Sequence, residues 1–397
     1  MLRPLLDANH AALADLVGHA LGPAAPGGRA PEVTAVERLR GGSKKGVYRA
    51  HTADGRSAVV YVWDPAEDYW THAVGRAGQA DHDDQAGHDD QAGHDDRGEH
   101  TDHTAHADTG PFAHANSFRL FQAAHDRLSG LGVRVPRLLL ADATTTRFPA
   151  PFAVVEDLRG GTLEDLLDTD PGRAGPVLDR LGAMIGAMHA AAPPYAGARC
   201  GKAAYIDAGP DTASPDGTGA GPDAAPSDGA GPADPPCEAH VLARALDDLA
   251  EAAARDPRVH ADQDRLRALL NEHARAVRPR AGLSLIHGEL GPDHVLVDDD
   301  GQPVLVDIEG LLYFDAEWEH VFLRLRFGEH YPRLARAAGV LDTLDEPRMR
   351  LYGLAMHLSL VAGPLRLLDG DFPDREFMLG IVEHNLHEAL AYGRTPD

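Results

Sequence analysis

Lysine is scarce in this chain: of 37 basic residues only Lys44, Lys45 and Lys202 are lysines, and two of the three are adjacent. Cysteine is scarcer still. Cys200 and Cys237 are the only two and lack the short paired spacing of a zinc site, so free thiols in a reducing compartment are expected. No apolar run approaches the roughly 18 residues of a membrane helix, and Asp7, His10 and Asp15 interrupt any apolar core near the start. Neither a membrane span nor a secretory leader is expected, which makes the protein cytoplasmic on this reading. A basic stripe is also missing, with 37 bases against 62 acids, so a nucleic-acid partner is excluded.

The 397 residues suffice for two lobes, each with its own core, and 43% hydrophobic content is that of a globular enzyme. The net charge of −25 is unevenly spread. Asp81–Asp108 holds ten acids and one arginine, and Asp207–Glu238 holds seven acids and no base, so these two segments supply 16 of the 25 charges. The first repeats a six-residue unit headed by His82, His88 and His94 and continued by His100, His103 and His106. The second is Gly, Pro, Ala, Ser and Asp without periodicity. Neither composition builds a packed core, and both are expected to be flexible insertions, at 76–110 and 205–237.

Around the insertions the pattern alternates in type. Leu2 to Leu21 reads as an amphipathic helix, followed by a Gly/Pro/Ala linker. VTAVERL, VYRAHT and SAVVYVW then read as strands, and Gly41, Gly42, Ser43, Lys44 and Lys45 form a Gly-rich turn between the first two. Backbone amides in such a turn are placed to face phosphates, and an ammonium at its tip reaches further along them. Pro111–Leu131 has a helical stripe without a glutamate. Two more strands follow, the second running from Phe152 through Glu156 to Leu158. Thr162 is a helix cap, and helices are expected over Pro176–Ala191, 239–255, 262–277, Glu346–Leu368 and Asp374–Tyr392, with Pro364 kinking or ending the fourth of these. His189, at the end of the first, is read as a packed or hydrogen-bonded group.

The most informative stretch is Leu283–Gly310, LSLIHGELGPDHVLVDDDGQPVLVDIEG. Its two apolar runs, Val295–Val297 and Pro303–Val306, joined by Asp-Asp-Asp-Gly, predict a hairpin. That hairpin puts Glu289 just before it and Asp307 at its exit on one rigid support. Phosphoryl transfer needs such a pair, one carboxylate to orient and deprotonate the attacking hydroxyl and another to hold the magnesium ion that bridges the phosphates.

His287-Gly288-Glu289 through His294, followed by Val306-Asp307-Ile308-Glu309, resembles the catalytic segment of the aminoglycoside phosphotransferase-type kinases, in which the pattern is H-G-D-x-x-x-x-N, a hairpin, then a metal-binding Asp. The resemblance implies an α+β, two-lobed, protein-kinase-like fold with a small β-rich N-lobe and a larger helical C-lobe. It places the lobes at 33–157 and 158–397, after an N-terminal helix and linker at 1–32. It implies ATP or GTP as donor, Mg2+, and a small-molecule hydroxyl acceptor such as an aminoglycoside-like antibiotic or an amino alcohol. Glu289 and His287 fall at the catalytic positions, Asp307, His294 and Glu309 at those for metal, and Gly41–Lys45, Tyr61, Glu156 and Leu158 at those for nucleotide. Asp315, Glu317 and Glu319 fall where acceptor-binding acids lie, although Asp315 also suits a helix N-cap. Three departures stand out: Glu289 for the catalytic Asp, His294 for a metal-binding Asn, and Tyr61 near the position of a strand lysine. Lys44 or Lys45 is expected to replace that lysine from the turn. The departures also leave open a pseudokinase that binds nucleotide or ligand without turnover.

Overall fold

The strand β3 (Ser57–Val62) sets how the first half is built, because Ala58 to Val62 are all buried and both of its faces need cover. In the computed structural model, residues 4–23, 28–39, 44–70, 111–112, 116–194, 200–203, 235–280, 282–370 and 372–394 are described, with side chains from residue 9. β3 pairs antiparallel with β2 (Gly46–Thr52) and β5 (Phe152–Glu156), and β1 (Val33–Arg38) and β4 (Leu138–Asp142) complete a sheet of order β1-β2-β3-β5-β4. The period of two sends Ala58, Val60 and Val62 to one face, where Leu13, Leu16 and Val17 of α1 (Pro4–Leu21) cover them. Val59, Tyr61 and Trp63 face the other way, onto Phe121 and Leu128 of α2 (Phe118–Gly130). That helix starts at Phe118 instead of Pro111, because the Ser117 hydroxyl caps it by accepting from Leu120 N.

The second half is helical. Thr162 and Asp165 form a reciprocal capping box at the start of α3 (Leu163–Thr169). The next helix, α4 (Pro171–His189), begins at Pro171 with Asp170 as its cap, so Pro176 lies inside it instead of opening it. It is followed by α5 (Cys237–Arg255), α6 (Pro257–Ala276), α7 (Ala316–Phe327), α8 (Tyr331–Ala337), α9 (Glu346–Leu367) and α10 (Arg375–Ala391). Pro364 falls in the last turn of α9, which stops at Leu367. Among the described residues no helix is long and apolar enough to cross a membrane.

Two small sheets carry the loops that matter. One has the order β6 (Gly201–Lys202), β10 (Leu312–Phe314), β7 (Ser284–Ile286), and the other is the expected hairpin, β8 (Val295–Val297) with β9 (Pro303–Leu305). One residue past β9, Val306 keeps the same register, its N–H donating to His294 O at 3.0 Å. The connection from β5 into the helical half is docked on the hairpin: Val297 N donates to Gly161 O at 3.0 Å, and a Cβ on Gly160 would collide with the Val297 carbonyl. The insertion expected at 76–110, nearly all of the one at 205–237, and Gly41, Gly42 and Ser43 lie outside the described residues.

Candidate active site

After Ile286 the chain turns sharply through His287, Gly288 and Glu289. Gly288 has φ +93°, strained for any other residue, and a Cβ there would sit 2.8 Å from Leu312 Cδ2. Glu319 holds this turn from behind. Its Oε1 accepts from His287 N at 2.9 Å and Gly288 N at 3.2 Å, and its Oε2 pairs with His189 Nε2 at 2.9 Å. Burial would raise the Glu319 pKa, but the hydrogen bond and field of His189 outweigh it and the net shift is downward.

His287 Nε2 donates to Val306 O at 3.0 Å and so ties this turn to the strand end that precedes Asp307. Its ring is fully buried, and desolvation lowers its pKa. His287 thus acts as a clamp between two loops. Asp307 has φ 58° and ψ 45°, the left-handed region, which costs a non-glycine residue about 1–2 kcal/mol.

Lys44 and Lys45 approach from the β-rich half, just ahead of β2. Lys44 Nζ lies 2.9 Å from Glu289 Oε2, while Lys45 Nζ lies 2.7 Å from Asp307 Oδ1 and 2.8 Å from Glu309 Oε1. Neighbouring residues thus reach carboxylates from both loops, so Glu289, Asp307 and Glu309 form one cluster. His294 links its two sides. Its Nδ1 donates to Glu289 O at 2.7 Å, and its Nε2 lies 3.9 Å from Asp307 Oδ2. Tyr61 of β3 has its ring centroid 5.3 Å from Lys45 Nζ and its phenol pushed up to about 12 by burial.

The charges settle one another. Lys44 draws the Glu289 carboxyl down to about 2. Burial would push Asp307 up, but Lys45, His294 and Lys44 outweigh it and hold it well below the ordinary carboxylate range. Glu309 is buried deeply enough that desolvation dominates and its pKa is raised despite Lys45. Burial would lower both lysines, yet the facing carboxylates raise them.

Does this cluster fit a magnesium ion? Among the described residues no group of three or more His, Cys, Asp or Glu side chains is placed to hold a metal ion by itself. Magnesium asks for less, namely one or two carboxylates, with phosphate oxygens and waters filling the octahedron. Asp307 and Glu309 already converge on one cation, the Lys45 ammonium, so the donor set fits. His294 Nε2 is the poorer partner for a hard cation.

The carboxylates expected to face an acceptor are otherwise engaged. Asp315 accepts from Arg348 Nε at 2.8 Å and Tyr352 OH at 2.6 Å; it occupies the N-cap of α7 but makes no side-chain cap bond. Glu317 takes both Arg280 Nη atoms at 2.7 Å. Asp315, Glu317 and Glu319 are all buried. On the connection, the Glu156 carboxylate is held by Arg134 and by Arg137 N, and Leu158 follows partly buried. The neighbouring Asp157, bonded to Ser57 and Arg49, braces this segment and carries no motif to mark it. Lys202 also reaches the site, its Nζ 3.4 Å from Gly310 O; the rarity of lysine was its one sequence signal.

A family model described as the phosphotransferase enzyme family matches residues 35–352. No curated protein matches the chain. Among solved structures, the aminoglycoside phosphotransferase APH(4)-Ia in a ternary complex with ADP and hygromycin B is similar at a TM-score of 0.52 and 15% identity, over 92% of this chain and 96% of that one. The GDP and kanamycin complex of an APH(2″) enzyme is similar at 0.50 and 16%, over 90% and 94%. At these identities the likeness is one of fold, and it establishes the kinase-like architecture of a β-rich first lobe and a helical second one. With the family model spanning both lobes and every element of the Glu289–Asp307 segment, the chain belongs to the phosphotransferase enzyme family.

Proposed function

We propose that the protein transfers the γ-phosphoryl group of ATP or GTP to a hydroxyl of a small molecule. The observation that carries this is the convergence of Glu289, Asp307 and Glu309, from two loops of one lobe, on Lys44 and Lys45 of the other. Two ammoniums and three carboxylates at a lobe junction make a site for a triphosphate and its cation. On this reading the lysines exchange carboxylate for phosphate oxygens when nucleotide binds, and Asp307 and Glu309 are the residues that would hold a magnesium ion. When bound, that ion neutralises charge on the phosphates.

Glu289, released from Lys44, orients the acceptor hydroxyl. The acceptor oxygen forms the new bond to the γ-phosphorus, the β–γ bridging P–O bond breaks with its electron pair retained by the nucleoside diphosphate, and the hydroxyl proton passes to Glu289 and on to water. Glutamate is longer than aspartate by one methylene, and the fixed Gly288–Glu319 anchor beneath it sets where that carboxylate reaches. Lys45, packed over Tyr61, does the work of the missing strand lysine, with Glu309 as the acid that steadies it. The lobe connection from Glu156 to Leu158 is the proposed seat of the nucleotide's purine ring.

The test is magnesium-dependent release of nucleoside diphosphate with a panel of hydroxyl acceptors, alongside nucleotide binding by calorimetry. Turnover with an acceptor is the expected result. Binding without any turnover favours the pseudokinase reading, to which the three departures at Glu289, His294 and Tyr61 point, and absence of nucleotide binding overturns both.

A further inference from the structure

The two cysteines of the chain stand on either side of residues 201–236, and the fold brings them together. Cys200 leads into β6, which pairs with β10 in the sheet from which both functional loops issue. Cys237 is the first residue of α5. Cys200 packs against the core of the helical half to which Cys237 belongs, and its Sγ donates to Pro235 O at 3.9 Å, two residues ahead of Cys237. The two thiols are also hydrogen-bonded to each other, and neither is in a disulfide. A disulfide needs sulfurs about 2.05 Å apart on Cβ atoms roughly 3.5–4.5 Å apart, so thiols already in contact close to one with little movement of either backbone.

The two positions are not equivalent. Cys237 is 4% exposed, and the hydrogen bond with Cys200, burial and the Asp315 carboxylate push its thiol far above the ordinary value. It stays protonated and out of reach of a dissolved oxidant. Cys200 is partly exposed and meets solvent first. An oxidant therefore reacts at Cys200, with Cys237 behind it as the resolving thiol.

We propose that Cys200 and Cys237 form a redox modification site, which a hydroperoxide converts to an intramolecular disulfide that fastens β6 to the start of α5. In the first step the Cys200 sulfur attacks the peroxide oxygen and the O–O bond breaks, leaving a sulfenic acid on Cys200 and releasing water or the corresponding alcohol. In the second the Cys237 sulfur attacks the Cys200 sulfur, the S–O bond breaks, and the departing hydroxide takes the Cys237 proton and leaves as water. The two sulfurs together give two electrons to the peroxide, and a dithiol returns them. Since β6 pairs with β10 over only two residues, the new bond adds a tie where the sheet has few, and it closes a loop that restricts the unfolded chain. The pair's chemistry stands whatever group the Lys44–Asp307 cluster transfers.

The test uses the full-length protein, first reduced and then exposed to hydrogen peroxide. Thiol titration of the denatured protein is expected to fall from two per chain to none. A tryptic map is expected to join the peptide Cys200–Lys202 to the one that carries Cys237 and ends at Arg244, with dithiothreitol reversing both changes. The oxidised protein is expected to melt about 2–5 °C above the reduced one. Cys237→Ser is expected to stop at a sulfenic acid on Cys200, trapped by dimedone, with no gain in melting temperature. In Cys200→Ser the Cys237 thiol is expected to outlast the Cys200 thiol of wild type by about tenfold or more. Survival of both thiols in wild type, a link between chains in place of the one within, a melting temperature no higher on oxidation, or equally fast loss of Cys237 in Cys200→Ser overturns the proposal. The wild-type map and melt require no substitution, so they decide it even where a serine variant fails to fold.

Discussion

Asp307 is the residue whose removal the site tolerates least. It is held ionised, sits in a strained backbone conformation and meets the cation that bridges the lobes. Asp307→Asn keeps the volume and removes the charge, so turnover is expected to fall by about 100-fold or more with little change in the unfolding midpoint, as steady-state kinetics and thermal melts together will show. Glu289 offers a pH test. Its folded pKa, about 2, lies below the ordinary carboxylate value, so its pairing with Lys44 stabilises the fold above the unfolded pKa and is lost as pH falls through the folded one. The side chain is 56% exposed, which limits the contribution to roughly 0.2–1 kcal/mol after screening. The difference in unfolding free energy between wild type and Lys44→Met is expected to be constant from about pH 7 to 5 and to shrink between about pH 4 and 2. At this scale the chemistry-bearing groups were legible because motif spacing and rarity both mark them: Glu289, Asp307 and the Lys44-Lys45 pair. The buried roles of His287, Asp315, Glu317 and Glu319 were not, since an acid written near a motif reads the same whether it faces solvent or an arginine distant in sequence.

Among the elements, the hairpin from Val295 to Leu305 is the platform, and what fixes it is the connection lying across it. Gly160 is there because nothing larger fits against the Val297 carbonyl. Gly160→Ala is expected to destabilise by about 1–3 kcal/mol, the usual cost of overpacking, and to lower turnover as well, because the displaced hairpin carries both Glu289 and Asp307. Urea unfolding and kinetics on the same variant check both parts; a stability loss with unchanged turnover separates the hairpin from the site. The hairpin, the strand trio and the helices expected at 239–255 and 262–277 could be read from period and turn chemistry, although the second opens at Pro257, where Asp256 caps it. Boundaries went astray where a cap or proline competed with the apolar stripe, as at Ser117 and Pro176. The two-residue strand at Gly201–Lys202 was invisible, because its pairing with Leu312 and Tyr313 is set by tertiary contact and not by local pattern.

For the molecule as a whole, the two lobes are joined at the site by ions of opposite sign: two lysines from one lobe against three carboxylates from the other. A divalent cation and the lysines therefore compete for the same oxygens. In wild type, Mg2+ without nucleotide must displace Lys45 from Asp307 and Glu309, so it is expected to raise the melting temperature little. In Lys44→Ala/Lys45→Ala the carboxylates are left facing one another, so the ligand-free protein is expected to melt lower, and Mg2+ alone to restore much of the loss by binding only the folded state. Addition of ATP with Mg2+ reverses the ranking. Wild type gains the phosphate contacts of both lysines, about 2.7 kcal/mol at a ligand concentration 100 times Kd, while the double variant gains little beyond the effect of the metal. Melts of the two proteins under these three conditions decide it: equal responses to Mg2+ alone would mean that the lysines do not hold the metal's place, and equal responses to ATP would mean that they do not bind its phosphates.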